Sequence, residues 1–412
     1  MKVLQINTTA NTASHGRIAA GIGQQLIEQG HSSFIAYGRA GRECGSVLIK
    51  TGNRADHGLH YLKSRLLDRH GFGSKYPTKY LVRKIQEIQP DVIHLHNLHG
   101  YYLNVAVLFR YLKKTRIPVV WTFHDTWPIT GHCSYFEHMN CYKWRDGCFK
   151  CPNIKGYPES WLIDGSRRNY NEKKELFNGV ENMVLVSPSK WLAAYLRQSF
   201  LAGYDIKVIN NGVDTESFSP VDDTPARERY SLTRKYILGV ANIWDSRKGL
   251  KDFIRLRSLL DSSIDIVLVG LTGSQIESLD DGITGISRTE SVADLASLYS
   301  GAEVFVNPTY LDNFPLVNIE ALACGTPVIT YETGGSHEAI DTSGGISVEK
   351  GNIGDLHTAI MSVIKDKEKY GPLVCRQRAI ELYSSGSRYM EYIDLYSDRI
   401  SKNGRMNLNH GE

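Results

Sequence analysis

The chain is short of several things. It has no run of 18 apolar residues, so no membrane-spanning helix is expected. It has no G-x-G-x-x-G after a strand-like run, which argues against a dinucleotide-dependent oxidoreductase. No Asp-x-Asp stands where it would hold a divalent cation beside a phosphate. There are no internal repeats and no low-complexity tract. The opening MKVLQINTTANTAS holds too short an apolar stretch for a secretory signal, which makes a cytoplasmic location the expectation. A large excess of one charge is lacking too: the formal net charge is +4, so no nucleic-acid partner is required. Seven cysteines in a cytosolic chain argue against a disulfide framework.

What is present is an ordinary globular composition, 42% hydrophobic and 22% charged. At 412 residues the chain exceeds a single core, and two domains are expected. Apolar strand-like runs at Val3–Ile6, Phe34–Tyr37, Val92–Leu95, Val119–Phe123 and Met183–Val186 alternate with helical patterns such as Ile18–Gln29 and Tyr80–Ile88. The alternation resumes with runs at Tyr236–Val240, Ile266–Val269, Val304–Val306 and Val328–Thr330. Such alternation implies parallel sheets and right-handed crossovers, hence an α/β chain of two Rossmann-like halves. The turn Asn210-Asn211-Gly212 marks the boundary, with 220–229 read as a loose linker.

The segment FVNPTYLDNFPLVNIEALACGTPVITYETGGSHEAI, from Phe305 to Ile340, is the most informative. It reads as a buried strand, a polar loop, a helix starting near Pro315, a second strand, and a further helix opened by Gly334-Gly335. A helix N-terminus after a strand offers backbone N–H groups and the helix dipole to a phosphate. Asp312 and Glu320 lie eight residues apart. That spacing, with ALACGTPVI after it, resembles the E-x(7)-E motif of the retaining glycosyltransferases of family 4, with Asp312 where most of the family has Glu. NNGVDTESFSP, SPSKWLAAYL and GVANIWDSRKGLKDFI resemble further family elements in the same order. The DNFPL loop and the GHC…C…C…CP insertion are similar to enzymes of the colanic-acid type, which build exopolysaccharide.

The resemblance implies a GT-B fold: two facing Rossmann-like domains with parallel sheets and an interdomain cleft. Residues 1–211 would bind the acceptor, with an insertion over 126–161, and residues 212–385 the nucleotide sugar. A C-terminal helix over 386–402 would pack back on the first domain, and 403–412 would form a disordered tail. In this picture Lys248 and Arg247 neutralise the leaving diphosphate, and Arg247 stands in for a family arginine whose place is taken by Ile243. Glu320 accepts from the ribose hydroxyls and Asp312 holds the donor sugar. Asn313, Phe314, Pro315, Leu316 and Val317 shape a phosphate-binding loop. His124 lies near the donor sugar, Gly16 in the first strand–helix turn, and His96, Asn97 and Asp125 at the acceptor. No cofactor is required for catalysis. A uridine diphosphate sugar is the favoured donor, and a polyprenyl-pyrophosphate-linked saccharide the acceptor. A degenerate relative that binds glycans or scaffolds an assembly is the alternative.

Two further patterns stand apart. Cys133, Cys141, Cys148 and Cys151 form C-x(7)-C-x(6)-C-x(2)-C, and four sulfurs can close a tetrahedral structural zinc site or remain packed free thiols. Residues 61–84 mix Lys63, Arg65, Arg69, Lys75, Lys79, Arg83 and Lys84 with Tyr61, Leu66, Leu67, Phe72, Tyr76 and Tyr80. This suits an anionic surface such as the inner face of the cell membrane, a pyrophosphate acceptor, or a plain solvated helix pair.

Overall fold

The computed structural model describes residues 1–409. The chain divides into two compact units, residues 1–210 with 388–412, and residues 211–387.

In the first unit, β1 (Lys2–Asn7), α1 (Ala13–Glu28), β2 (Ser32–Tyr37), β3 (Val47–Lys50), α2 (Arg54–Leu67), α3 (Lys75–Ile88), β4 (Val92–Leu95), α4 (Val105–Leu112), β5 (Val119–Thr122), α5 (Ser166–Phe177), β6 (Met183–Ser187), α6 (Lys190–Gln198) and β7 (Asp205–Val208) follow in order. The seven strands are parallel, in the order β3-β2-β1-β4-β5-β6-β7. β4, β5 and β6 are buried along their whole length, which is why they read as unbroken apolar runs.

The second unit runs α7 (Thr224–Tyr230), β8 (Lys235–Val240), α8 (Leu250–Arg257), β9 (Ile264–Val269), α9 (Gly273–Glu277), β10 (Ile283–Ile286), α10 (Val292–Gly301), β11 (Val304–Asn307), α11 (Leu316–Ala323), β12 (Val328–Tyr331), β13 (Gly345–Val348), α12 (Ile353–Lys365) and α13 (Pro372–Tyr383). Its six parallel strands are ordered β10-β9-β8-β11-β12-β13. α14 (Ser385–Asn409) ends the described chain. Its Tyr392, Ile393 and Tyr396 are buried in the first unit's core with Val3, Ile22 and Val120.

Both sheets are doubly wound. Strand order reverses between β1 and β4 in the first and between β8 and β11 in the second. Ligands of such sheets lie beyond the carboxyl ends of the strands at that reversal.

Several expectations need correction. The stretch 220–229 is not a loose linker, because α7 begins at Thr224 with Pro225 in its first turn. Gly334-Gly335 opens only a single 3-10 turn, His337–Ala339. The tail does not lose its helix at 403: α14 continues to Asn409, and 410–412 lie outside the described residues. Four strands, β3, β7, β10 and β13, were not anticipated from the sequence.

Candidate active site

In the second unit the reversal brings together the loop after β8 and the loop after β11. The two are laced by backbone: the Tyr310 N–H donates to the Arg247 carbonyl at 2.6 Å, and the Thr309 hydroxyl to the same oxygen at 3.2 Å. Gly249 takes a positive φ of 75°, and a Cβ there would fall 2.2 Å from the Pro308 carbonyl. Only glycine allows that approach.

This lacing puts Lys248 against Asp312, Nζ to Oδ2 at 2.5 Å, with both side chains about one-fifth exposed. Arg247 pairs with Asp245, Nη2 to Oδ2 at 2.7 Å. The aspartate at position 312 therefore reaches the lysine despite its short side chain. Behind it, Gly334 at φ 54° packs so closely that a Cβ would stand 2.0 Å from the Asp312 carbonyl. The Gly335 N–H donates to that carbonyl at 3.0 Å.

α11 starts after Pro315, and no side chain caps its N-terminus. Leu316 and Val317 are half-buried in its first turn, Phe314 is buried in the core, and the Phe314 carbonyl accepts from Asn211 at 2.8 Å. Asn313 is buried, and its N–H is held by the Asp312 carboxylate at 3.0 Å. Asn318 joins β11 to the 3-10 turn, accepting from Asn307 and donating to the Ser336 carbonyl. Glu320 is only 4% exposed and accepts from the Tyr299 hydroxyl at 3.2 Å. A carboxylate so buried in a mostly apolar helix is held for a purpose other than solubility. Ile243 is 67% exposed.

In the first unit the strand ends after β1, β4 and β5 carry a histidine network. His96 Nδ1 meets His124 Nε2 at 3.1 Å, and His96 Nε2 meets Gln5 Oε1 at 3.0 Å. His94 is fixed by Thr122 at 2.8 Å and by Tyr396 of α14 at 2.6 Å. Burial, helped by the neighbouring rings, pushes His94, His96 and His124 well below the usual imidazole range. His15 is brought down to about 4, chiefly by burial. The cluster is thus neutral at pH 7, which fits hydrogen bonding to hydroxyls rather than to phosphates.

Beside it, His99 Nε2 lies 2.7 Å from Asp125 Oδ2, and the second Asp125 oxygen accepts the Trp127 N–H at 2.9 Å. Burial opposes the Asp125 charge, but His99 and these hydrogen bonds outweigh it and hold the carboxyl below its ordinary value. His99 Nδ1 reaches the Tyr157 hydroxyl at 3.2 Å. Asn97 is half-buried and its carbonyl accepts from Thr8 and Tyr102. Gly16 lies within α1, not in an open loop, and a Cβ there would stand 2.5 Å from Thr9 Oγ1.

Sequence reasoning chose residues next to strand ends and found both clusters. It missed Gln5, Tyr157, Tyr299 and Tyr396, whose partners are far away along the chain. The aromatic pair Tyr392 and Tyr396, four apart on one helical face, was the one available signal.

The four clustered cysteines line one small cavity of about 20 Å³ with His132, Phe136 and Trp144. The Gly131 N–H donates to Cys148 Sγ at 3.2 Å. Burial pushes the Cys148 thiol up to about 12, whereas the hydrogen bond with Cys133 brings Cys151 down to about 7 against the effect of burial. Among the described residues no group of three or more His, Cys, Asp or Glu is gathered in a metal-holding arrangement.

Two parallel sheets, each with polar side chains collected at its reversal of strand order, are the frame of a GT-B fold, and the comparisons show a glycosyltransferase. The chain belongs to the family 4 glycosyltransferases: residues 16–217 match Glycosyltransferase Family 4, and residues 234–366 match Glycosyl transferases group 1. It is 26% identical over 421 residues to a protein of Escherichia coli (strain K12) assigned as the colanic acid biosynthesis glycosyl transferase WcaC, covering 97% of this chain and 100% of the relative. It is 25% identical over 283 residues to a Campylobacter jejuni N,N'-diacetylbacillosaminyl-diphospho-undecaprenol alpha-1,3-N-acetylgalactosaminyltransferase, covering 63% of this chain and 73% of that one. Among solved structures it resembles a Thermosynechococcus elongatus sucrose-phosphate synthase, with TM-score 0.71, 19% identity and coverage of 97% and 99%. HepE of Anabaena in complex with UDP gives TM-score 0.68 at 16% identity, covering 97% and 100%.

Proposed function

We propose that this glycosyltransferase moves a hexosyl unit from a nucleotide sugar, favoured as a uridine diphosphate sugar, to a lipid-linked saccharide in surface polysaccharide synthesis, with retention of anomeric configuration. The observation that carries the donor assignment is the Lys248–Asp312 pair beside the uncapped N-terminus of α11. The diphosphate docks on that helix end and on Lys248 and Arg247. Glu320 takes the ribose hydroxyls, and Asp312, besides orienting Lys248, holds the donor sugar.

As the sugar–phosphate bond breaks, negative charge grows on the leaving diphosphate and positive charge on the sugar ring. A preorganised donor aimed at such an oxygen is worth about 3 kcal/mol of barrier. The leaving phosphate takes the acceptor proton, so attack occurs on the face it vacates. The neutral His96–His124 pair and the His99–Asp125 pair provide hydrogen-bonding groups for acceptor hydroxyls, with Asn97 beside them.

The acceptor class rests on the first unit's surface. α2 and α3 expose Leu59, Leu62, Tyr76 and Tyr80, and Leu162 is exposed next to Trp161, whose N–H donates to Arg65 of α2. A groove of about 390 Å³ between α2, α3 and α4 is lined by Lys63, Arg69, Lys75 and Arg110 against Asp56 and Glu172. Apolar side chains beside cations suit a polyprenyl pyrophosphate at an anionic membrane surface. The relative from Campylobacter, whose name includes a diphospho-undecaprenol, supports the same reading.

The test is to incubate the protein with UDP- and GDP-sugars and a polyprenyl-pyrophosphate disaccharide, then read acceptor mass and anomeric proton coupling. A gain of one hexosyl unit with the donor's configuration is expected. Nucleotide release without acceptor gain would favour hydrolysis, and inversion would remove the mechanism. Lys75→Ala/Arg110→Ala should raise KM for the lipid-linked acceptor about tenfold or more, the loss of roughly 1.4 kcal/mol. It should leave KM for the donor unchanged.

A further inference from the structure

We propose that the cysteine-lined cavity of the insertion is a structural zinc site, closed by Cys133, Cys141, Cys148 and Cys151. Four observations meet there. The four side chains line a single enclosed space with Phe136 and Trp144, and its volume of about 20 Å³ suits a single small occupant. Two of the four stand as Cys-x-x-Cys, in a stretch where Gly147 and Lys150 both take positive φ. The Gly131 N–H points at the Cys148 sulfur at 3.2 Å, the kind of support a bound thiolate receives from surrounding backbone. Finally, between β5 and α5 the chain runs over forty residues with only three single 3-10 turns, Trp127–Ile129, Glu137–Met139 and Lys143–Arg145. A segment of that length without sheet or α-helix needs a staple to stay ordered.

The charge around the cavity fits the same ion. Zinc bound by four thiolates carries a net charge of −2, which a buried site must offset. Lys143 lines the cavity. Lys173, 1% exposed, donates to the carbonyl of Thr130, another lining residue, at 3.0 Å. The sulfurs need not already be drawn together. Binding the ion would draw the four sulfurs together. Each thiol that binds releases one proton to solvent, and no electron is transferred.

Full-length protein purified in a reducing buffer without chelator should contain one zinc per chain by elemental mass spectrometry. Cobalt substitution should give the visible bands and sulfur-to-metal charge transfer of a tetrahedral thiolate site. A mercurial reagent should release the zinc as the cysteines react, while Cys44→Ser and Cys324→Ser keep it in full. Cys148→Ser/Cys151→Ser should lose it. Wild-type protein that holds no zinc as purified and takes up none when zinc is added would overturn the proposal. So would a mass two hydrogens lighter that is restored by reduction, since that is a disulfide. Both readings use the wild-type chain, so a variant that fails to fold does not obscure the answer.

Discussion

At the scale of single residues, the loop after β11 is a set of close approaches. Lys248 is held by Asp312, and Asp312 is held through its carbonyl by Gly335 and through its packing by Gly334. Lys248→Ala should lower kcat by about 100-fold or more, with a smaller change in donor KM, because its charge matters most as the diphosphate departs. A fall in affinity alone would make it a ground-state contact. Gly334→Ala tests the packing. Its added methyl cannot coexist with the Asp312 carbonyl at 2.0 Å, so the loop must move. Activity should fall by about the same factor, and the melting temperature should fall with it, because the position is buried and at positive φ.

At the scale of elements, the first half of α14 is tied to β4 and β5 of the first sheet. Tyr396 bonds His94, and Tyr392 accepts from the Thr122 hydroxyl. Tyr396→Phe keeps the ring but orphans one imidazole nitrogen, and should cost about 1–3 kcal/mol in chemical denaturation. The histidine cluster also sets a pH dependence. His15, His94, His96 and His124 all have folded pKa values lowered by burial. The unfolded chain therefore binds more protons than the folded one below about pH 6.5. Stability is full above that value and falls with the pH, continuing toward the folded pKa values, about 4 for His15. Melting temperatures recorded from pH 7.5 down to about 4.5 should fall steadily below 6.5, and a flat profile would mean the rings are not buried neutral.

The elements also explain what could be read beforehand. The buried central strands announce themselves as apolar runs. The four that were missed, β3, β7, β10 and β13, are the four sheet edges. Two of them are nowhere fully buried and the other two are buried only at their ends, so neither a continuous run nor a clean alternation shows. The site divides in the same way. Lys248 and Asp312 lie in the loops that follow strands, and Asp312 and Glu320 carry a recognisable spacing. The Tyr396–His94 bond joins residues 302 apart, and no local pattern encodes such a pairing.

At the scale of the whole molecule, two parallel sheets each reverse strand order once, and chemistry-bearing side chains collect at each reversal. One unit offers cations and an open helix end. The other offers neutral hydrogen-bonding rings beside a basic, partly apolar surface. That division matches a charged donor and a hydroxyl-bearing acceptor. The most direct test of it is the melting temperature of the protein with UDP, GDP and their sugars, without added divalent metal, in wild type, Lys248→Ala and Glu320→Gln. A ligand that binds only the folded state raises the melting temperature according to its affinity. One nucleotide should raise it for the wild type, and the rise should shrink in both variants relative to each one's own baseline. No rise with any nucleotide, or a rise undiminished in the variants, would contradict the donor site described here.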